Sequence, residues 1–293
     1  MKKLLLFCII IILPSMSFAL CIDYKAQVSQ AIKTKSFDKL KKLLPVLKTE
    51  GCADNYINAL QLKLAQIVAS QADDLMMAGK LEQARSLLRR SAIINWGTQV
   101  IRADIAAFEG RWQEAAKLYS QALDLINNPQ ATPQAPDTEV IQKVFQLASE
   151  AQILAGTLDS SEYSTEHGVM LNNVRGFKPE KLLIPIQFEF NKSILNDEGK
   201  KSAQQLIKYI KQYNFKKITL IGHTDTKGSD MINDKISIQR ALVLRKYLKN
   251  SGINIPITAI GQGKREPLIL DDMNRYTEIE IDDLNRRVEV ITE

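Results

Sequence analysis

Histidine and cysteine are scarce in these 293 residues: two His, His167 and His223, and three Cys, Cys8, Cys21 and Cys52. Cys21 and Cys52 with two widely separated histidines make no ligand cluster, which argues against a bound metal. Aromatic residues make up only 6% of the chain. No stretch interleaves them with Lys or Arg in the manner of a nucleic-acid platform. There is no phosphate-binding loop and no nucleophile at a catalytic spacing. Asp225 beside His223 would make an acid–base pair only if no turn intervened between them. Beyond the first nineteen residues no apolar run approaches the roughly 20 residues that cross a bilayer. The absences point away from catalysis, cofactors and nucleic acid, and toward a binding protein.

The N-terminus supplies a compartment. Lys2-Lys3 followed by the apolar run Leu4 to Leu13 and the small-x-small triplet Ser17-Phe18-Ala19 has the form of a secretory signal cleaved after Ala19. The formal net charge of +6 falls to +4 once Lys2 and Lys3 are removed. In an oxidising compartment Cys21 and Cys52 are expected to pair, closing a loop of about 30 residues worth roughly 3–4 kcal/mol. The competing outcome is acylation of Cys21 as the first residue of a lipoprotein. Leu20 stands before it, where such signals require a small side chain.

From residue 20 to 126 the chain reads as helical throughout. Gly79, Ala84 and Leu88 recur as Gly110, Ala115 and Tyr119, offset by 31 residues, with Leu81 and Trp112 opening the second helix of each hairpin. Small Ala lets paired helices approach while the larger residue fills the groove behind. The pattern resembles a tetratricopeptide-type hairpin, whose usual period is 34. An ordinary α-hairpin bundle fits the same residues. A Pro- and Asn-rich loop, Asn127 to Asp137, comes next. One further helix near 138–155 and a polar stretch from Asp159 to Arg175 complete a linker over 127–179.

The segment 222–241 is the most informative in the chain. It follows the strand-like run Lys217 to Ile221 and leads into a helix ending near Gly252. At 100° per residue Ile236, Ala241, Val243, Leu244, Tyr247 and Leu248 form one broad apolar stripe. Asn233, Ser237 and Arg240 fall in the middle of it, at its N-terminal end. Polar groups at core-facing positions need a polar counterpart. Helical side chains lean toward the N-terminus, so Arg240 is expected to reach toward Asp225. Strands are expected near 183–190, 216–221, 256–260 and 287–292, and helices near 197–212 and 233–250, the first capped by Asn196. The order implies helices packed on one side of a mixed sheet.

These residues resemble the OmpA-like C-terminal family of peptidoglycan-binding domains. The match rests on Gly222-His223-Thr224-Asp225, Gly228, Asn233, Ile236-Ser237 and Arg240-Ala241. Flanking blocks are Ile184 to Ser193 upstream, and Gly261-Gln262-Gly263, Pro267 and Asn285-Arg286-Arg287-Val288-Glu289 downstream. The resemblance covers about residues 180–293. It implies a multidomain chain: signal peptide 1–19, an α-helical repeat-like domain 20–126, the linker, and a βαβαβ-type mixed-sheet domain 180–293.

The resemblance also implies non-catalytic binding of the diaminopimelate of peptidoglycan stems. Asp225 would take the ammonium and Arg240 the carboxylate, supported by Asn191, Thr224, Asn233, Ser237, Asn285 and Arg286. Many members carry Asp where this chain has Asn191. His223 reads as a packed, hydrogen-bonded histidine. The acidic run Glu278, Glu280, Asp282 and Asp283 reads as the solvated face of a surface loop or short helix. The implied place is the periplasm, wall-associated and with possible peripheral contact with the outer membrane. The helical half would bind another envelope protein. In the alternative reading that contact is the main role and wall binding a tether.

Overall fold

The computed structural model describes residues 21–91, 94–156, 173–188 and 194–293. The signal peptide and Asn191 lie outside the described residues. The chain divides into two compact units, 1–105 and 106–293.

Among the described residues the first unit contains the complete helices α1 (Lys25–Lys33), α2 (Phe37–Thr49), α3 (Asp54–Met77) and α4 (Leu81–Arg90). It also contains most of α5 (Trp96–Phe108). Its core gathers Phe37, Leu40, Leu47, Ile57, Leu60, Leu64, Val68, Leu88 and Ile101. A disulfide joins Cys21 to Cys52, with Cα atoms 5.8 Å apart, and both cysteines lie in that core. Gly79 and Gly110 both adopt positive φ at the turns after α3 and α5, and Ala84 and Ala115 are fully buried. The unit boundary falls inside α5 and assigns the two hairpin turns to different units.

In the second unit α6 (Trp112–Asn127) and α7 (Thr138–Ala155) form a hairpin around the Pro-rich loop. Then follow β1 (Leu182–Ile184), α8 (Asp197–Tyr213), β2 (Ile218–His223), α9 (Asp230–Asn250), β3 (Ile257–Gly263), α10 (Glu278–Asn285) and β4 (Val288–Thr292). Composition places the domain boundary at Asn127. Packing places α6 and α7 with the sheet, because α7 contacts both β1 and α10. The strand order is β1-β4-β2-β3, with β2 parallel to β3 and β4 antiparallel to both its neighbours.

Strand β1 is shorter than the expected 183–190. Pro185 offers no ladder N–H, and Phe188 instead forms an isolated antiparallel bridge to Leu195. Asn196 caps α8 as expected, accepting from the Gly199 N–H at 2.8 Å.

All six residues of β2 are buried, the pattern of a strand covered on both faces. Leu220 is paired with Val290, and Val290 with Leu182, so one face is built from these residues and faces α9. The other presents Leu183, Glu289 and Ile221. Leu183 there packs with Ile153 and Leu154 of α7 and Leu284 of α10. Helices thus cover both sides of the sheet, not one. Among the described residues no helix is long and apolar enough to cross a membrane.

Candidate functional site

The loop after β2 carries Asp225, and two glycines let α9 come close enough to build a wall for it. A Cβ at Gly222 would stand 2.2 Å from the Ser237 carbonyl oxygen. One at Gly261 would stand 2.5 Å from the Ile238 nitrogen. This close approach accounts for two polar residues in the apolar stripe. Ser237 Oγ donates to the Asp234 carbonyl at 3.0 Å and accepts from the Gly263 N–H at 2.9 Å. Asn233 Nδ2 donates to the Lys227 carbonyl at 2.8 Å and pins the loop. Both are buried, and these hydrogen bonds hold strand, loop and helix together.

Asp225 and Arg240 feel one another electrostatically, while the direct partner of Asp225 is Arg286. Asp225 is partly exposed; its Oδ1 accepts from the Lys227 N–H at 3.1 Å and its Oδ2 from Arg286 Nη1 at 2.6 Å. The second Arg286 nitrogen, Nη2, donates to Asp283 of α10. Arg240 stacks over Phe188, its guanidinium carbon 5.3 Å from the ring centroid. Its Nε is buried without a hydrogen-bond partner. Burial lowers the Arg240 pKa, the neighbouring Arg286 lowers it further, and Asp225 opposes both. Burial would lower the Arg286 pKa as well, but Asp225 and Asp283 outweigh it and raise it. Arg286 thus bridges the carboxylates of Asp225 and Asp283, while one face of Arg240 lies on an aromatic ring.

The remaining expected residues divide by what they touch. Thr224 is buried at the loop start; its N–H donates to the Gly263 carbonyl, while its hydroxyl has no partner. Asn285 serves the fold: its Oδ1 accepts from the Leu268 N–H at 2.8 Å and its Nδ2 donates to the Ile281 carbonyl at 2.9 Å.

His223 is fully buried, its Nε2 3.5 Å from Glu289 Oε1. Arg287 Nε donates to the same carboxylate at 3.0 Å, and Lys181 Nζ lies 2.8 Å from its other oxygen. Burial alone would raise the Glu289 pKa. The nearby His223, the Arg287 charge and Lys181 outweigh it and hold the carboxyl well below the usual range.

The acidic run is engaged rather than simply solvated. Lys227 Nζ is 2.6 Å from Asp282 Oδ2, Asp283 holds Arg286, and Glu280 accepts from the Trp112 indole at 2.6 Å. Asp283 and Arg286 stand three apart, a spacing that marks a helical ion pair in the sequence. The charge at 278–283 reads as solvent-facing until the partners on α6 and on the β2–α9 loop are in view.

The β2–α9 junction sits in a stretch with known relatives. Residues 187–275 match the OmpA family. The chain is 38% identical over 86 residues to outer membrane protein A of Shimwellia blattae, covering 28% of this chain and 36% of that protein. It is 30% identical over 84 residues to the peptidoglycan-associated lipoprotein of Buchnera aphidicola, covering 28% of this chain and 49% of the relative. The chain thus spans at most about half the length of either relative. Among solved structures, the peptidoglycan-associated lipoprotein of Burkholderia pseudomallei aligns at 23% identity with a TM-score of 0.32, over 39% of this chain and 91% of that one. The family match stops at residue 275, ahead of α10 and of Arg286.

Proposed function

We propose that this protein binds peptidoglycan without catalysis, by holding the zwitterionic end of a diaminopimelate side chain between Asp225 and Arg240. The observation that carries the reading is a partly exposed carboxylate, Asp225, in electrostatic reach of Arg240, a buried arginine whose Nε has no partner. Asp225 accepts the ligand ammonium beside Arg286, since a carboxylate offers about four lone-pair sites. Arg240 offers its fork to the ligand carboxylate, steadied by Phe188. The OmpA-family match, and a relative whose name records association with peptidoglycan, support the ligand. Secretion by the N-terminal signal puts the protein where that polymer is, in the cell envelope. Thr224 lies at the start of the Asp225 loop, while Asn233, Ser237 and Asn285 fix the surrounding backbone from behind.

The test is co-sedimentation of residues 20–293 with purified diaminopimelate-type peptidoglycan. The stretch reaches well upstream of the family match because α6 and α7 belong to the same unit as Asp225 and Arg240. Asp225→Ala and Arg240→Ala are expected to leave most of the protein in the supernatant, and free diaminopimelate to release the wild type. Equal sedimentation of all three proteins would sink the site.

The first unit supports an accompanying protein-interaction role. Residues 21–105 contain thirteen Lys and Arg against eight Asp and Glu, while residues 106–293 contain twenty-four against twenty-five. The basic surplus of the exported chain is thus concentrated in the helical unit, suited to an acidic partner. Deleting residues 20–105 is expected to leave wall binding intact and to abolish that partner's co-purification.

A further inference from the structure

The segment from Leu268 to Arg286 is tied to α6 and α7 at one end and to the pocket at the other. On the helical side the Trp112 ring stacks on Tyr276, centroids 5.6 Å apart, while its Nε1 donates to Glu280 Oε1. The Tyr276 hydroxyl donates to the buried Glu150 of α7 at 2.6 Å. Gln146 Nε2 donates to the Ile269 carbonyl at 3.1 Å, and Lys143 faces Asp271 at 3.5 Å. Leu284 of α10 is fully buried against Ile153.

Glu280 is the hinge of this arrangement. One of its oxygens accepts the Trp112 N–H hydrogen bond and the other closes a capping box with the N–H and hydroxyl of Thr277, both at 2.8 Å. The carboxylate that fixes the start of α10 is therefore itself fixed by α6. Three residues further on, Asp283 holds Arg286, and Arg286 holds Asp225. A helix of eight residues has no stable orientation of its own, so its neighbours decide where it points. Turning α10 would move both Asp283 and Arg286, and with them the proton donor on Asp225.

We propose that Trp112 is a positioning residue for the ligand pocket: the α6–α7 hairpin sets α10, and α10 sets Arg286 against Asp225. The inference rests on the diaminopimelate reading above. It makes ligand affinity depend on helices outside the OmpA-family segment.

The experiment uses residues 20–293 carrying Trp96→Phe, which leaves Trp112 as the single indole. Free diaminopimelate is titrated by calorimetry and by tryptophan emission. Saturation is expected to shift Trp112 emission, and the shift to vanish when Asp225→Ala is added. Trp112→Phe, made in the wild-type chain, keeps a ring to stack on Tyr276 but no N–H. It is expected to bind about fivefold more weakly with an unchanged far-ultraviolet dichroism spectrum. Calorimetric saturation with no change in emission overturns the proposal, and so does unchanged affinity in Trp112→Phe. If the parent protein binds no diaminopimelate at all, the ligand reading itself falls and takes this inference with it. The two failures are therefore distinct in the data.

Discussion

Arg240 shows how much a single side chain can be asked to do. Its guanidinium is stacked on Phe188, its Nε is buried and unpartnered, and it lies in the field of both Arg286 and Asp225. A lysine would keep the charge and lose both the fork and the stacking. Arg240→Lys is expected to cost about 1.5–3 kcal/mol of binding, close to the worth of a charge-assisted hydrogen bond, as measured by calorimetry with diaminopimelate. Two buried carboxyls give the second unit opposite pH dependences. Burial raises the Glu150 pKa, against the hydrogen bonds from Tyr276 and Gln146, so its contribution is full below the unfolded pKa of about 4.3 and is lost as pH rises through the folded value. Glu289 is depressed, so its contribution is present above about 4.3 and is lost as pH falls. Urea midpoints of Glu150→Gln are therefore expected to exceed the wild type increasingly as pH rises from about 4.3 toward 7. A wild-type midpoint that changes in parallel with that of the variant over this range would remove Glu150 from the account.

At the scale of elements, the junction of β2 with α9 was the most legible part of the chain. Asn233 and Ser237 in an apolar stripe announce a polar junction, and the structure shows what they are for: they bind a loop and a strand that glycines have let in close. Gly222→Ala is expected to lower stability by about 1–3 kcal/mol, since the added methyl would meet the Ser237 carbonyl and backbone cannot swing aside as a side chain does. A denaturation midpoint equal to wild type would show that α9 can retreat without loss. α10 was less legible. Its acids read as solvated because the cations and the indole that meet them come from Lys227, Arg286 and Trp112, two of them far away in sequence. Periodicity reports one element at a time, and α10 is decided by partners on other elements. The same reason hid Glu150, whose place on the buried face of α7 makes sense only with Tyr276 beside it.

For the whole molecule, composition located a Pro-rich loop and took it for a boundary, whereas packing runs through it. The loop joins α6 to α7, and both belong with the sheet. The cysteine pair was readable from count and compartment, and it staples the other unit. Its removal is expected to cost about 3–4 kcal/mol by the loop-entropy estimate. Cys21→Ser with Cys52→Ser should raise amide exchange rates across α1–α3 while leaving β2 and β4 as protected as before. Faster exchange in the sheet as well would mean that the two units share their stability.

The strand order carries a consequence for the timing of folding. β4 is drawn from residues 288–292 yet lies inside the sheet, hydrogen-bonded to β1 on one side and β2 on the other. Until those residues are available β1 has no neighbour, and the buried Glu289 cannot meet His223, Arg287 and Lys181. A chain passing through a secretion channel from its N-terminus would deliver the first helices, the disulfide and even the Asp225 loop while the sheet was still open. The geometry around Asp225 would then wait on residues 288–292, however early the loop itself appears.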